Sequence, residues 1–163
     1  MSLNGLGLKC MAVDVIKAPG DVQIGNLATP INSSALTKAW LQNLPAYRVG
    51  LKPFRRALEI GMAHGYLLYG PFAKLGPLRN TEIGSLAGVL GAAGLVVILS
   101  ICLSLYAASK PDAPINNLAA PAPKDLAGSE GWSEFAGGFL IGGLGGAVFA
   151  GVMTWLIEAT GLI

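Results

Sequence analysis

Residues 52–79 read KPFRRALEIGMAHGYLLYGPFAKLGPLR, and this stretch decides how the rest of the chain is organised. Basic residues stand at both ends, and a mostly apolar run extends between them from Ala57 to Phe72. The run contains one carboxylate, Glu59, and the only histidine of the protein, His64. Because an ionisable group inside lipid costs several kcal/mol, such residues are usually kept for a function. The pattern predicts a membrane helix that carries two candidate functional side chains.

The composition excludes several classes of protein. Of 163 residues, 53% are hydrophobic and 12% are charged, and the charged share is about half that of an average soluble domain. A net charge of +2, with no basic stripe between aromatic residues, argues against a nucleic-acid partner. Cys10 lies in a polar region and Cys102 in an apolar run, so neither a disulfide nor a zinc site is indicated. No nucleophile–base pair or phosphate loop is visible, which argues against an enzyme.

Three apolar segments predict an all-α membrane protein with three transmembrane helices in residues 51–163. The predicted spans are 54–72, 83–108 and 135–157. The first is marginal for a bilayer, which needs about 20 residues at about 1.5 Å each. The second and third carry no charge.

The segment between the second and third predicted spans is expected to be a long polar loop. Residues 109–134 contain four prolines, and proline-rich polar segments favour extended loops. Near its end, Ser129 and Ser133 are both candidate N-caps for the third span.

The N-terminal residues 1–50 are expected to be mostly irregular and to lie outside the membrane. Apolar residues alternate at 13–15 and 22–24, where either stretch could form a short strand. Residues 1–56 and the loop at 109–134 together hold nine Lys and Arg residues, against two in the loop at 73–82. The positive-inside rule therefore predicts a cytoplasmic N-terminus.

A short amphipathic helix is predicted within the N-terminal region. Ser33 or Ser34 is a candidate N-cap, and Pro45 is expected to end the helix. Leu36 and Trp40 would share one side of it at a spacing of four residues. That side would lie on a membrane surface or pack against a partner, and the sequence leaves both alternatives open.

Glycines recur at four-residue spacing in two of the predicted spans. They are Gly138, Gly142 and Gly146 in the third span and Gly84 and Gly88 in the second. Small residues on one stripe let helix backbones approach closely in lipid. The stripes indicate close packing, either within the chain or between the chain and a larger assembly.

Glu59 and His64 allow a structural and a functional interpretation. In the structural one, Glu59 pairs with Arg55 or Arg56, and a neutral His64 bonds to a backbone carbonyl. The two residues differ by about 140° around a helix, so they cannot easily ligate one ion together. The functional interpretation is two separate sites, each supplying one axial ligand to a metal that another group holds, such as the magnesium of a tetrapyrrole.

The segment LEIGMAHGY, from Leu58 to Tyr66, resembles the photosystem I reaction-centre subunit XI family. The other strings that carry the resemblance are Gly70-Pro71, KLGPLR at 74–79, GNLATPI at 25–31, NLPAYR at 43–48 and SEGWS at 129–133. The resemblance covers nearly the whole chain.

The resemblance implies a non-catalytic photosystem I subunit that binds antenna chlorophyll a and beta-carotene and mediates oligomerisation. It implies that Glu59 and His64 are the axial ligands of two chlorophylls. The implied partners are other photosystem I subunits, copies of the chain in neighbouring monomers, and lipids. The implied location is a thylakoid membrane, or the plasma membrane of a cyanobacterium without thylakoids.

The resemblance also allows a calcium site of the family to be compared with this sequence. Cyanobacterial trimers of the family can hold this ion through a proline carbonyl, which matches Pro77, and an aspartate. This sequence has Asn80 where the aspartate is expected. Because calcium affinity depends on ligand charge, we expect no tight calcium site here.

Two other functions are compatible with the residues alone. One is a small membrane carrier or proton-relay protein that uses Glu59 and His64. The other is a membrane anchor without pigment. Red-region absorption of the purified protein separates a pigment subunit from both.

Overall fold

The computed structural model describes residues 16–17, 27–116 and 120–161. Over these ranges the chain is helical, with α1 at Ala35–Asn43, α2 at Pro53–Leu75, α3 at Gly84–Ala108 and α4 at Gly128–Ala159. The described residues contain no strand, only an isolated bridge in which Lys17 and Ala28 exchange backbone hydrogen bonds. The predicted strand stretches at 13–15 and 22–24 lie outside the described residues.

Helix α1 confirms the short helix predicted from the serines. Ser34, not Ser33, is the N-cap, and its side-chain oxygen accepts a hydrogen bond from the Thr37 amide at 3.1 Å. The helix ends two residues before Pro45, as expected of a residue that cannot continue the hydrogen-bonding pattern. Leu36 and Trp40 are exposed, so their side of the helix is not used within the described part of the chain.

Helix α2 is slightly longer than the predicted span of 54–72. It begins at Pro53, where a missing amide hydrogen costs nothing, and it continues past Pro71 to Leu75. Gly76 and Pro77 follow and end it.

Helix α4 begins seven residues before the predicted start at 135, so the loop predicted at 109–134 is too long. Ser129 and Ser133 lie inside the helix, and neither caps it. Gly128 turns the chain with φ of 73°, and its amide donates to the Pro111 carbonyl at 2.8 Å. Gly131 packs directly against the Asp125 carbonyl, which holds the first turn in place. This tertiary packing replaces the side-chain cap that the sequence predicted.

Two helices of the described chain, α3 and α4, are long and apolar enough to cross a membrane. By length and composition alone, the described residues contain two candidate spans, not the predicted three. Helix α2 has sufficient length, but Arg55, Arg56 and Glu59 lie close together in its first two turns and lower its hydropathy.

Helices α2 and α4 run parallel in the closest contact of the fold, and α3 packs antiparallel to both. The carbonyls of Phe54, Leu58 and Met62 lie against three glycines of α4 in the same order, Gly138, Gly142 and Gly146. In return, Gly61 and Gly65 of α2 lie against the α4 backbone. The glycine stripe of the third predicted span therefore packs against α2 of the same chain. This is the first of the two alternatives that the sequence left open, packing within the chain or with a larger assembly.

Two glycines of α3 serve its contact with α2, whereas Gly84 lies against the carbonyls of the preceding turn. Gly88 lies against Ala73, and Gly91 lies against the ring of Phe72. Gly94 is different, because nothing lies within 4 Å of a methyl group placed there. A buried cluster that includes Ala57, Val96 and Phe139 fills the space between the three helices.

Replacement of Gly65 by leucine tests the contact between α2 and α4. A Cβ at Gly65 would collide with the Gly143 carbonyl, which is backbone and cannot rotate away. We expect Gly65→Leu to cost about 3 kcal/mol, the upper end for overpacking, and to lower the midpoint of unfolding by dodecyl sulfate in detergent micelles. Gly70→Leu is the matched control, because the space around Gly70 is open. Equal midpoints for both variants would contradict this packing.

Candidate functional site

Glu59, in the second turn of α2, is held by one arginine of the same helix and one from the segment before it. Arg55, one turn earlier, donates from Nε to Oε1 at 3.1 Å, and Arg48 donates from Nη2 to Oε2. The predicted pair with Arg55 is confirmed, whereas the alternative pair with Arg56 is wrong. The Glu59 side chain remains 25% exposed, so part of the carboxylate faces the surroundings of the chain.

Arg56 instead supports the segment that delivers Arg48. It is 3% exposed, and its guanidinium donates to three backbone carbonyls, those of Pro45, Arg48 and Leu51. Buried donors need such partners, and here they fix the chain between α1 and α2. This fixed segment places the Arg48 side chain beside Glu59.

The two arginines leave the Glu59 carboxylate with coordinating capacity. An ionised carboxylate offers about four lone-pair positions, of which Arg48 and Arg55 occupy two. Arg48 also offsets the negative charge of Glu59, which lowers the cost of placing a carboxylate next to an apolar phase. The Glu59 carboxylate can therefore coordinate the metal of a ligand that is neutral overall.

His64 presents one free ring nitrogen. Its Nδ1 lies 2.8 Å from the Ile60 carbonyl, and because a carbonyl can only accept, Nδ1 carries the proton. In the neutral ring, Nε2 is then the basic nitrogen, which is the form that binds metals. The side chain is exposed, and its ring meets Phe139 edge-on with a centroid distance of 5.4 Å. The predicted bond to a backbone carbonyl is confirmed, and it leaves a ligand role open.

Glu59 and His64 are not brought together. They point to different sides of α2, and the described residues contain no group of three or more His, Cys, Asp or Glu side chains that could hold a metal ion. Each is therefore a single Lewis base on a helix surface. A metal bound at either one must receive its other ligands from elsewhere, and a tetrapyrrole supplies four nitrogens.

The positions discussed for calcium lie in the turn between α2 and α3. Pro77 and Asn80 are both exposed there. The expectation that calcium binds weakly, if at all, stays a prediction.

The family model for photosystem I reaction centre subunit XI matches residues 14–159. Among similar proteins, the photosystem I reaction center subunit XI of Crocosphaera subtropica is 60% identical over 139 residues, which are 85% of this chain and 89% of that protein. The subunit of the same name from Mastigocladus laminosus is 57% identical over 145 residues, covering 88% and 84%. That of Synechococcus elongatus is 59% identical over 143 residues, covering 86% of both.

Replacement of Arg56 by glutamine tests how the site is supported. Hydrogen bonds from a charged group contribute about 1.5–3 kcal/mol each, so we expect amide exchange of the bonded amides of Tyr47 and Arg48 to rise at least about tenfold. Arg55→Gln is the control, because its side chain is 63% exposed and a surface pair contributes at most about 1 kcal/mol. Unchanged protection of both amides in Arg56→Gln would contradict the supporting role.

Proposed function

The chain belongs to the photosystem I reaction centre subunit XI family, and from this we propose that it holds antenna chlorophyll a through His64 and Glu59. Its relatives are photosystem I reaction centre subunits, so the chain is not an enzyme, and other photosystem I subunits are its partners. We propose that it lies in the thylakoid membrane, or in the plasma membrane of a cyanobacterium without thylakoids. Bound chlorophyll would supply light absorption and excitation transfer, and the protein would fix the position of the pigment.

The single observation that carries the proposal is the state of His64. Its Nδ1 proton is engaged by the Ile60 carbonyl, so the ring is held in one tautomer and one orientation. The basic Nε2 is the atom that would bind a chlorophyll magnesium. Phe139 supports one edge of the imidazole, which limits its rotation.

Glu59 is the second proposed ligand, and it needs more support because it is charged. A carboxylate in an apolar environment is costly unless it is paired. Arg48 and Arg55 provide the pairing without using all the lone pairs. Removal of Arg48 would therefore weaken the site, because the Glu59 carboxylate would lose one of its two paired arginines.

We propose that α2 crosses the membrane alongside α3 and α4, although its composition alone does not require this. It packs in parallel along α4, a helix apolar enough to span. Its outward side chains Met62, Tyr66 and Leu67 are apolar or aromatic and exposed. The basic residues lie towards its ends, where long side chains can reach the interface. The N-terminus then lies on the cytoplasmic or stromal side, where most of the basic residues are found.

The outer face of α3 offers an apolar surface to partners outside the chain. Its exposed residues are large and apolar, and they include Leu86, Leu90, Ile98, Ile101 and Leu105. We propose that beta-carotene, lipids and a copy of the chain in a neighbouring monomer contact surfaces of this kind, which would allow the subunit to mediate oligomerisation.

Replacement of His64 by leucine in the intact complex tests the proposed function. We expect the complex to lose one chlorophyll per reaction centre and to show one negative band in the red part of a low-temperature difference absorption spectrum. Leu67→Ala is the control, because it alters another exposed side chain of the same helix that is not a proposed ligand. An unchanged spectrum from complexes that retain the full amount of the His64→Leu subunit would contradict the proposal.

A further inference from the structure

A polar pocket of about 230 Å³ lies at the end of the molecule where α2 and α4 begin. One wall is the segment 47–50, which precedes α2, and the other is the segment 121–125, which precedes α4. Arg56, in the first turn of α2, also lines the pocket. The proposed pigment ligands Glu59 and His64 are not among the lining residues, so the pocket is separate from both.

The lining carries an excess of positive charge. Arg48, Arg56 and Lys124 face one acidic residue, Asp125. Neither Lys124 nor Asp125 takes part in an ion pair among the described residues. Glu59 pairs with Arg48 from outside the lining, and even with this carboxylate counted the cations outnumber the anions. The pocket therefore favours an anionic occupant.

Arg56 has donors to spare for such an occupant. A guanidinium has five N–H groups, and that of Arg56 makes three hydrogen bonds, all to backbone carbonyls. Two N–H groups therefore have no partner within the described part of the chain. The residue is 3% exposed, so little bulk water reaches it. Because buried donors are normally satisfied, an acceptor seated in the pocket is a suitable partner for them.

Both walls are fixed by contacts elsewhere in the chain. The carbonyls that Arg56 bonds hold the segment before α2. On the other wall, the Ala122 amide donates to the Asn116 side-chain oxygen at 2.9 Å, and Leu126 is buried in the core next to Asp125. A pocket whose walls are already ordered binds a ligand at a low entropic cost.

The starts of α2 and α4 add to the positive potential. The two helices are parallel and begin at the same end of the molecule, a few residues beyond the two walls. Neither has a side-chain N-cap. The first amides of a helix carry a partial positive charge of about half an elementary charge, which stabilises an anion placed near them.

We propose that this pocket binds a phosphate oxyanion through Arg56, Lys124 and Arg48. Arginine forks and lysine ammonium groups are the side chains that proteins use to hold phosphate oxygens. Two sources offer this chemistry, the headgroup of an anionic lipid and the free phosphate ion. The pocket's position favours the lipid, because the topology proposed above puts the starts of α2 and α4 at the cytoplasmic surface, where anionic headgroups lie. The lipid source rests on that topology, whereas the phosphate site does not.

The test measures ligand binding to the full chain in dodecyl maltoside micelles by isothermal titration calorimetry. The probes are dioctanoylphosphatidylglycerol, inorganic phosphate, and dioctanoylglycerol, which has the same chains without phosphate. We expect Lys124→Glu to weaken binding of the phospholipid at least about tenfold, because it reverses a charge of the site. Lys124 is exposed, so the replacement leaves the packing intact. Lys38→Glu is the matched control, because it makes the same change on α1, outside the pocket.

Replacement of Asp125 tests the sign of the effect. Asp125→Asn removes the one negative charge of the lining and keeps the shape of the side chain. We expect it to strengthen phospholipid binding about threefold. If the isolated chain does not keep its helices in micelles, the phosphorus content of the intact complex decides. There we expect Lys124→Glu to lose about one phosphorus atom per reaction centre and Lys38→Glu to lose none.

The outcomes separate the sources and the failures. Tighter binding of the phospholipid than of inorganic phosphate assigns the site to a lipid headgroup, and equal or weaker binding assigns it to the free ion; both support the phosphate site. Equal binding of dioctanoylglycerol, or binding unchanged by Lys124→Glu, overturns it. If no phosphate binds and Lys124→Glu instead releases the subunit from the complex, the pocket holds an acidic side chain of a neighbouring subunit, which also overturns it. The red absorption bands test the proposed function separately.

Discussion

The structure depends on the direct backbone contact between α2 and α4. Glycines alternate across this contact, with Gly61 and Gly65 on one helix and Gly138, Gly142 and Gly146 on the other, and each lies against carbonyls of its partner. Lipid removes the hydrophobic drive between helices, so close packing and weak contacts to carbonyls supply the association. A larger residue on either side would separate the helices and disperse the cluster between them.

This contact also determines what α2 offers to its surroundings. Because the glycine face of α2 is buried in α4, the side chains on its flanks remain outside, and these include Glu59 and His64. Each already makes hydrogen bonds within the chain: Glu59 accepts from two arginines, and His64 donates to the Ile60 carbonyl. What remains at the helix surface is the basic Nε2 of His64 and the unused lone pairs of the Glu59 carboxylate. This is the property that a chlorophyll magnesium requires of a protein.

Much of this was predictable from local patterns, and the rest depended on tertiary contacts. The Ser34 cap, the glycine spacing of α4 and the polar pair on α2 are encoded within a few residues, so the sequence indicated them. Arg48 pairs with a residue eleven positions away across a loop, which no helical spacing reveals. Arg56 looked like a surface partner of Glu59, yet its burial redirects it to three carbonyls. The early start of α4 likewise follows from packing at Gly131 and not from a cap.

A density map of the intact photosystem I complex, at a resolution that separates ring planes from side chains, tests the central claim most directly. The account predicts a planar macrocycle over each of the two side chains, with one magnesium bonded to His64 Nε2 and another to a Glu59 carboxylate oxygen. The contrary result is a map in which both atoms contact only protein or lipid. In that case the exposed flanks of α2 would serve assembly alone.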